Sequence, residues 1–212
     1  MKPLSFGSMS QAVKDLQGKL NTLGYGKFAQ TGFYGAKTKQ AVLSIQKKYN
    51  LAQTGIFGST EASKLAIELS DLQRKKIYNS ALSFLHVDAS PNDLAPDEYG
   101  CADSVCGVLQ KALGSEMGID YTISTAQLYR ELFNSKGWIL TTTPNAGDVL
   151  VSPTGYGNGG LANGHTGIVG ENGLIYSNSS ATGTFEQNFT IESWKNRYVG
   201  LGGFPMFFFR KI

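Results

Sequence analysis

Four side chains in this 212-residue sequence have the types needed for thiol and imidazole chemistry on a carbonyl: Cys101, Cys106, His86 and His165. Both cysteines fall in "EYGCADSVCGVLQKAL", residues 98–113, five positions apart. A thiol reacts as the thiolate, and the unpaired N–H groups of a helix start favour that form. Cys101 follows Tyr-Gly and opens a helical pattern, so it is the candidate nucleophile, with an expected lowering of its pKa. Cys106 lies one and a half turns further on, among Val105, Val108 and Leu109, and reads as a small buried hydrophobe. Five residues apart on one helix, the two point to different faces, so both are expected as free thiols. His165 heads a glycine-bounded strand, "NGHTGIVG", and is the candidate base. His86, in "LSFLHVD" at a helix end, reads as a capping or surface residue.

A base of this kind needs a third group to hold its ring. The segment after His165 reads as a hairpin through "GENG". A turn centred on Glu171-Asn172 sets His165 opposite Asn178; a turn at Asn172-Gly173, the favoured type I′ sequence, sets Gly167 opposite Asn178. Both put Asn178 on the face of His165, directly or diagonally. Ser177 shares that face only if the turn has an odd number of residues. Glu186 and Asn188, in "FEQNF" one strand further on, remain alternatives. No HExxH or comparable ligand spacing is present, so neither a metal nor a cofactor is expected.

The elements that must carry these residues follow an α+β order. Helical patterns over 101–113 and through "TAQLYRELFNSKG" precede six strand-like runs: "GWILTTT", "GDVLVS", "HTGIVG", "GLIYSNS", "TFEQNFT" and "GFPMFFFRKI". The first 70 residues read differently, as three short helices: one from the N-cap Ser10, one over 37–49 and one over 60–69. The phrases "TGFYGAKT" and "TGIFGSTE", 23 residues apart, precede the second and third. "LSDLQRKKIYNSAL" is a linker or the first helix of the second domain. Charge marks the same division: 12 Lys/Arg against 4 Asp/Glu up to residue 76, and 7 against 12 afterwards. A basic first part is drawn to anionic surfaces, and charge alone leaves nucleic acid, membrane and bacterial wall open. The N-terminus has no apolar h-region and no run reaches transmembrane length. Synthesis without a signal peptide in the (host) cytoplasm, and no membrane insertion, are expected.

The order "LQ..L..LGY", "TG.YG..T..AV...Q....L", "TG.FG..T...L" resembles the three-helix peptidoglycan-binding module of cell-wall hydrolases, over about residues 7–69. The resemblance implies attachment to murein rather than to nucleic acid. In the second part, Cys101 at a helix start, "PNAGDVLV" and "GHTGIVG" are similar to the NlpC-like and CHAP families, which share a papain-like core. It implies that Cys101 is the nucleophile and His165 the base, and that Pro144, Gly147, Asp148, Gly167 and Ile168 occupy motif positions. "EQN" at Glu186 to Asn188 is reminiscent of the CHAP type; the NlpC-type "D-C-S-G-F-V" is here "GCADSVC". The resulting expectation is a phage endolysin-like enzyme. It has two domains: a three-helix module over 1–70 and an α+β papain-like domain over 71–212. It acts as a monomer at the wall, hydrolysing a muramoyl-L-alanine or stem-peptide amide with Cys101, His165 and Asn178. The alternatives are a non-catalytic peptidoglycan-binding protein and a glycosidase-type lysin using Glu98 or Glu131.

Overall fold

The structure, a computed structural model, describes residues 2–90 and 100–212. The chain separates into two compact units, Met1–Leu72 and Gln73–Ile212. Glu98 lies outside the described residues.

The first unit is built on α1 (Gln11–Thr22), α2 (Ala36–Lys48) and the first turns of α3 (Ser59–Ser83). Ser10 caps α1 by accepting a hydrogen bond from the Val13 N–H at 3.2 Å. Val13, Leu16 and Leu20 of α1 close on Val42 and Ile45 of α2, with Tyr34, Phe57 and Leu65 filling the remainder. The repeated phrase has a matching internal structure. In each copy the second residue is a glycine with positive φ, Gly32 at 76° and Gly55 at 67°, a conformation that strains any other residue. In each copy a buried glutamine clamps the loop. Gln17 Oε1 accepts from the Gly32 N–H and its Nε2 donates to the Phe33 carbonyl and Thr38 Oγ1. Gln46 Oε1 accepts from the Gly55 N–H and its Nε2 donates to the Ile56 carbonyl and Glu61 Oε1. Buried backbone groups without partners are costly, so these two side chains take the place of a sheet ladder.

The expected third helix, 60–69, is longer than its apolar pattern suggested. No glycine or proline interrupts 59–83, and α3 runs for 25 residues, contributing its later turns to the second unit. Among the described residues that unit contains α4 (Cys101–Leu113), α5 (Thr125–Asn134) and six strands: β1 (Trp138–Thr141), β2 (Val149–Ser152), β3 (His165–Val169), β4 (Leu174–Asn178), β5 (Phe185–Thr190) and β6 (Phe207–Lys211). Every pairing in the sheet is antiparallel, in the order β1-β6-β2-β3-β4-β5.

Strand alternation divides the core in two. Val149, Val151, Ile168, Tyr176 and Phe209 face α4 and α5, where Cys106 is fully buried beside Val105 and Leu109. Leu150, Val169, Ile175 and Phe208 face the other way, onto Trp194, Tyr198 and Phe204. Trp194 and Tyr198 come from a segment the strand-like pattern did not announce: α6 (Ile191–Trp194), opened by a Thr190/Ser193 capping box, continues into π-helical turns over Lys195–Leu201. Asp148 of the "PNAGDVLV" turn is buried and receives two bonds from Arg210, Nε to Oδ1 at 3.1 Å and Nη2 to Oδ2 at 2.7 Å, tying β2 to β6. Among the described residues no helix is long and apolar enough to cross a membrane, and no three His, Cys, Asp or Glu side chains gather as a metal site.

Candidate active site

Cys101 and His165 line one open cleft of about 680 Å³ at the His165 end of β3. Cys101 is the first residue of α4, and His165 the first of β3. The backbone N–H of Thr166, next in the chain after His165, is near enough to the Cys101 sulfur to favour its thiolate, as are those of Ala102 and Cys101 itself. His86 is exposed and pairs its backbone N–H with the Phe185 carbonyl at 2.8 Å, away from this cleft. Both thiols are free.

The ring of His165 is held on both its flat and its polar sides. Tyr198 stacks on it, with centroids 5.4 Å apart and planes 13° apart, and Trp194 and Phe189 close the pocket. Its Nε2 lies 2.9 Å from Ser177 Oγ, and Ser177 Oγ donates to Asn188 Oδ1 at 2.7 Å. Asn188 is itself fixed, because its Nδ2 donates to the Ser177 carbonyl at 3.3 Å and the Asn178 carbonyl at 3.5 Å. A hydroxyl has one proton, and Ser177 gives it to Asn188. Ser177 therefore accepts from His165, Nε2 carries the ring proton, and Nδ1 keeps the lone pair.

Asn178, expected beside the ring, is not the group that meets it. The β3–β4 connection is the three-residue turn Glu171–Gly173, with Asn172 at φ 54° and the Gly170 N–H bonded to the Leu174 carbonyl. An odd turn shifts the register by one: Ile168 pairs with Tyr176 and Val169 with Ile175. Ser177 thereby joins the face of His165 and Asn178 turns to the opposite face, still lining the cleft. Asn188 reaches Ser177 because the pairing of β4 with β5 shifts at Ile175/Tyr176, which leaves Asn188 as the extra residue of a β-bulge between Gln187 and Phe189. Glu186 accepts from Thr182 and Thr184 at the surface instead. Gly167 sits across from Ser177: a Cβ there would stand 2.8 Å from the Tyr176 carbonyl and 3.1 Å from the Ser177 Cβ. Only glycine leaves Ser177 where it is.

Electrostatics correct the expectation for the thiol. Burial pushes the Cys101 pKa up to about 11, although the three N–H groups at the sulfur pull it down. Burial, with the nearby Arg197 charge, takes His165 down to about 3. Both groups are therefore neutral at neutral pH. The helix start does supply N–H groups, as the sequence suggested, but desolvation outweighs them.

Two comparisons bear on these units. The family described as "Putative peptidoglycan binding domain" matches residues 9–65. The chain is also 37% identical over 78 residues to a "Probable N-acetylmuramoyl-L-alanine amidase" from Bacillus licheniformis, an alignment that covers 35% of this chain and 22% of that protein. The chain thus spans about a fifth of the length of that relative. Its residues 9–65, with their duplicated glutamine-clamped loops, are similar to a peptidoglycan-binding domain.

Proposed function

We propose that the second unit is a papain-like cysteine hydrolase that cuts an amide bond of peptidoglycan, with Cys101 as nucleophile, His165 as base and Ser177 backed by Asn188 as the group that orients the ring. The observation that carries this reading is the relay His165 Nε2, Ser177 Oγ, Asn188 Oδ1, which leaves Nδ1 as the basic nitrogen in a cleft shared with the only accessible thiol among the described residues. The peptidoglycan-binding match and the amidase-named relative support the wall as substrate.

From the neutral resting pair, attack and proton transfer go together. The Cys101 sulfur forms a bond to the amide carbonyl carbon as its proton passes to His165 Nδ1, and the imidazolium is stabilised by the hydrogen bond from Nε2 to Ser177. The Cys101 backbone N–H, at the unpaired start of α4, would donate to the oxyanion. The C–N bond then breaks, Nδ1 returns its proton to the leaving amine, and water hydrolyses the thioester with the same nitrogen as base.

A glycosidase reading needs paired carboxylates at the cleft. Among the described lining residues none is Asp or Glu, and Glu131 instead accepts from the Asp120 N–H at 3.4 Å. A wall lysin of endolysin type is the setting that fits. Purified murein digested with the wild type and with Cys101→Ala, followed by mass spectrometry, tests the proposal: new amino termini, or free lactyl groups, are expected with the wild type only. Release of reducing sugars, or equal release by the variant, would overturn it. Which product appears identifies the bond.

A further inference from the structure

The cleft walls carry one charged side chain among the described residues, and it is a cation. Arg197 lines the cleft with Cys101 and His165, and the wall adds amide and hydroxyl groups, from Asn163, Asn178, Asn188 and Ser179, beside apolar side chains such as Leu161 and Phe189. Arg197 makes no ion pair with a carboxylate among the described residues. Its guanidinium lies over the Tyr198 ring, 5.7 Å from the centroid, and Tyr198 in turn stacks on His165. The arginine is thereby indexed to the reacting ring through one rigid aromatic. The positive field it puts on the site is also visible in His165, whose protonated form it disfavours.

The backbone around it is specialised for that placement. Arg197 sits in π-helical turns, a geometry uncommon in proteins and frequent at functional sites. The wide turn sets Trp194 and Tyr198 inward, fully or nearly buried, while Arg197 stays exposed at the cleft mouth. A structural arginine would be expected to meet a carboxylate or cap a helix end. This one lines a space in which the described residues offer amide and hydroxyl groups and no acid.

We infer that Arg197 is a specificity residue that binds a carboxylate of the substrate peptide next to the scissile amide, so that the cleft selects acidic stem peptides whose side-chain or α-carboxylate is free over those in which it is amidated. This rests on the peptidoglycan reading for the identity of the peptide, and not on any step of the hydrolysis. Guanidinium and carboxylate match as a planar fork of two N–H···O bonds, whereas a carboxamide offers one acceptor oxygen and a repelled NH₂ group.

The test uses the full chain with Cys101→Ala, which binds without turnover, and two synthetic stem peptides, L-Ala-γ-D-Glu with the glutamate α-carboxylate free and the same peptide as the α-carboxamide. Titration calorimetry should show the free acid binding tighter, by tenfold or more, as expected for a charge-assisted pair. Adding Arg197→Gln should bring the acid down to the level of the amide and leave the amide unchanged; Arg197→Lys should keep part of the difference. Any binding at the first unit is common to all three proteins and cancels. Equal affinity for acid and amide, loss of both ligands alike in Arg197→Gln, or no binding of the acid would each overturn the inference. Because Arg197 is exposed, unaltered melting of the variant shows that the loss is not unfolding. Failure of the hydrolase reading shows separately, as wild type that releases no amine from murein.

Discussion

Ser177 Oγ stands between His165 Nε2 and Asn188 Oδ1, at 2.9 and 2.7 Å, and gives its only proton to the asparagine. The serine is thus an obligate acceptor toward the ring. Ser177→Ala removes that acceptor and frees the ring to change tautomer, and Asn188→Ala frees the serine to donate, which favours the wrong tautomer. Each should lower kcat on murein by roughly 10- to 100-fold, as loss of a ring-orienting partner commonly does. Asn188→Asp keeps the acceptor and should lose less. Nitrogen-15 chemical shifts of the His165 ring report the tautomer directly. If Asn178→Ala moves those shifts and Ser177→Ala does not, the relay is misassigned.

A neutral Cys101 makes a prediction about its reactivity. With the thiol at about 11, alkylation of the resting protein by iodoacetamide should be slow at pH 7 and rise about tenfold per pH unit through pH 9. A preformed thiolate–imidazolium pair would give fast alkylation with a plateau between pH 5 and 8. Cys106 is buried among Val105 and Leu109 and should remain unlabelled, which intact-mass analysis can check.

That Cys101 opens a helix and His165 a strand was legible in the sequence, and which side chain meets the His165 ring was not. Cys101 at a helix start and His165 at a strand start follow from local periodicity, as do all six strands. The third group depends on whether one turn has two residues or three. "ENG" reads as a two-residue turn on Asn172-Gly173; in the folded chain Glu171 joins it, the register moves by one, and Ser177 replaces Asn178 on the ring's face. The bulge that delivers Asn188 has no spacing signature, because it is set by the pairing of β4 with β5. Tyr198 and Arg197 were missed for a related reason: π-helical turns do not follow a 3.6-residue period, and the one local signal was the Thr190/Ser193 cap.

Burial of a neutral imidazole links stability to acid. His165 sits at about 3 in the folded chain against about 6.5 for a free imidazole, so its contribution is fully present above pH ~6.5 and lost as pH falls toward 3. The slope for one proton is at most ~1.4 kcal/mol per pH unit. Both tryptophans, Trp138 and Trp194, lie in the second unit, so urea unfolding followed by their fluorescence reads that unit alone. Stability should fall between pH 6.5 and 4 more steeply in wild type than in His165→Gln. Parallel curves would mean that the ring is not buried as a neutral group.

The duplicated clamp in the first unit predicts a separation of functions. Gln46 satisfies the Gly55 N–H, the Ile56 carbonyl and Glu61 at once. Burial would raise the Glu61 pKa, yet hydrogen bonds from Gln46 and the Gly58 N–H hold it below the usual carboxylate range. Gln46→Ala leaves these groups without their partner, at a cost of about 1–3 kcal/mol. The first unit should then melt earlier by circular dichroism while the tryptophan transition of the second unit stays in place. Sedimentation with insoluble murein should weaken near that lower melting temperature, and cleavage of a soluble peptide should not change. Gln17→Ala, which unclamps Gly32 and Phe33, should behave in the same way, because the same contacts are repeated there. A shift of the tryptophan transition in either variant would mean that the clamps stabilise more than the unit that contains them.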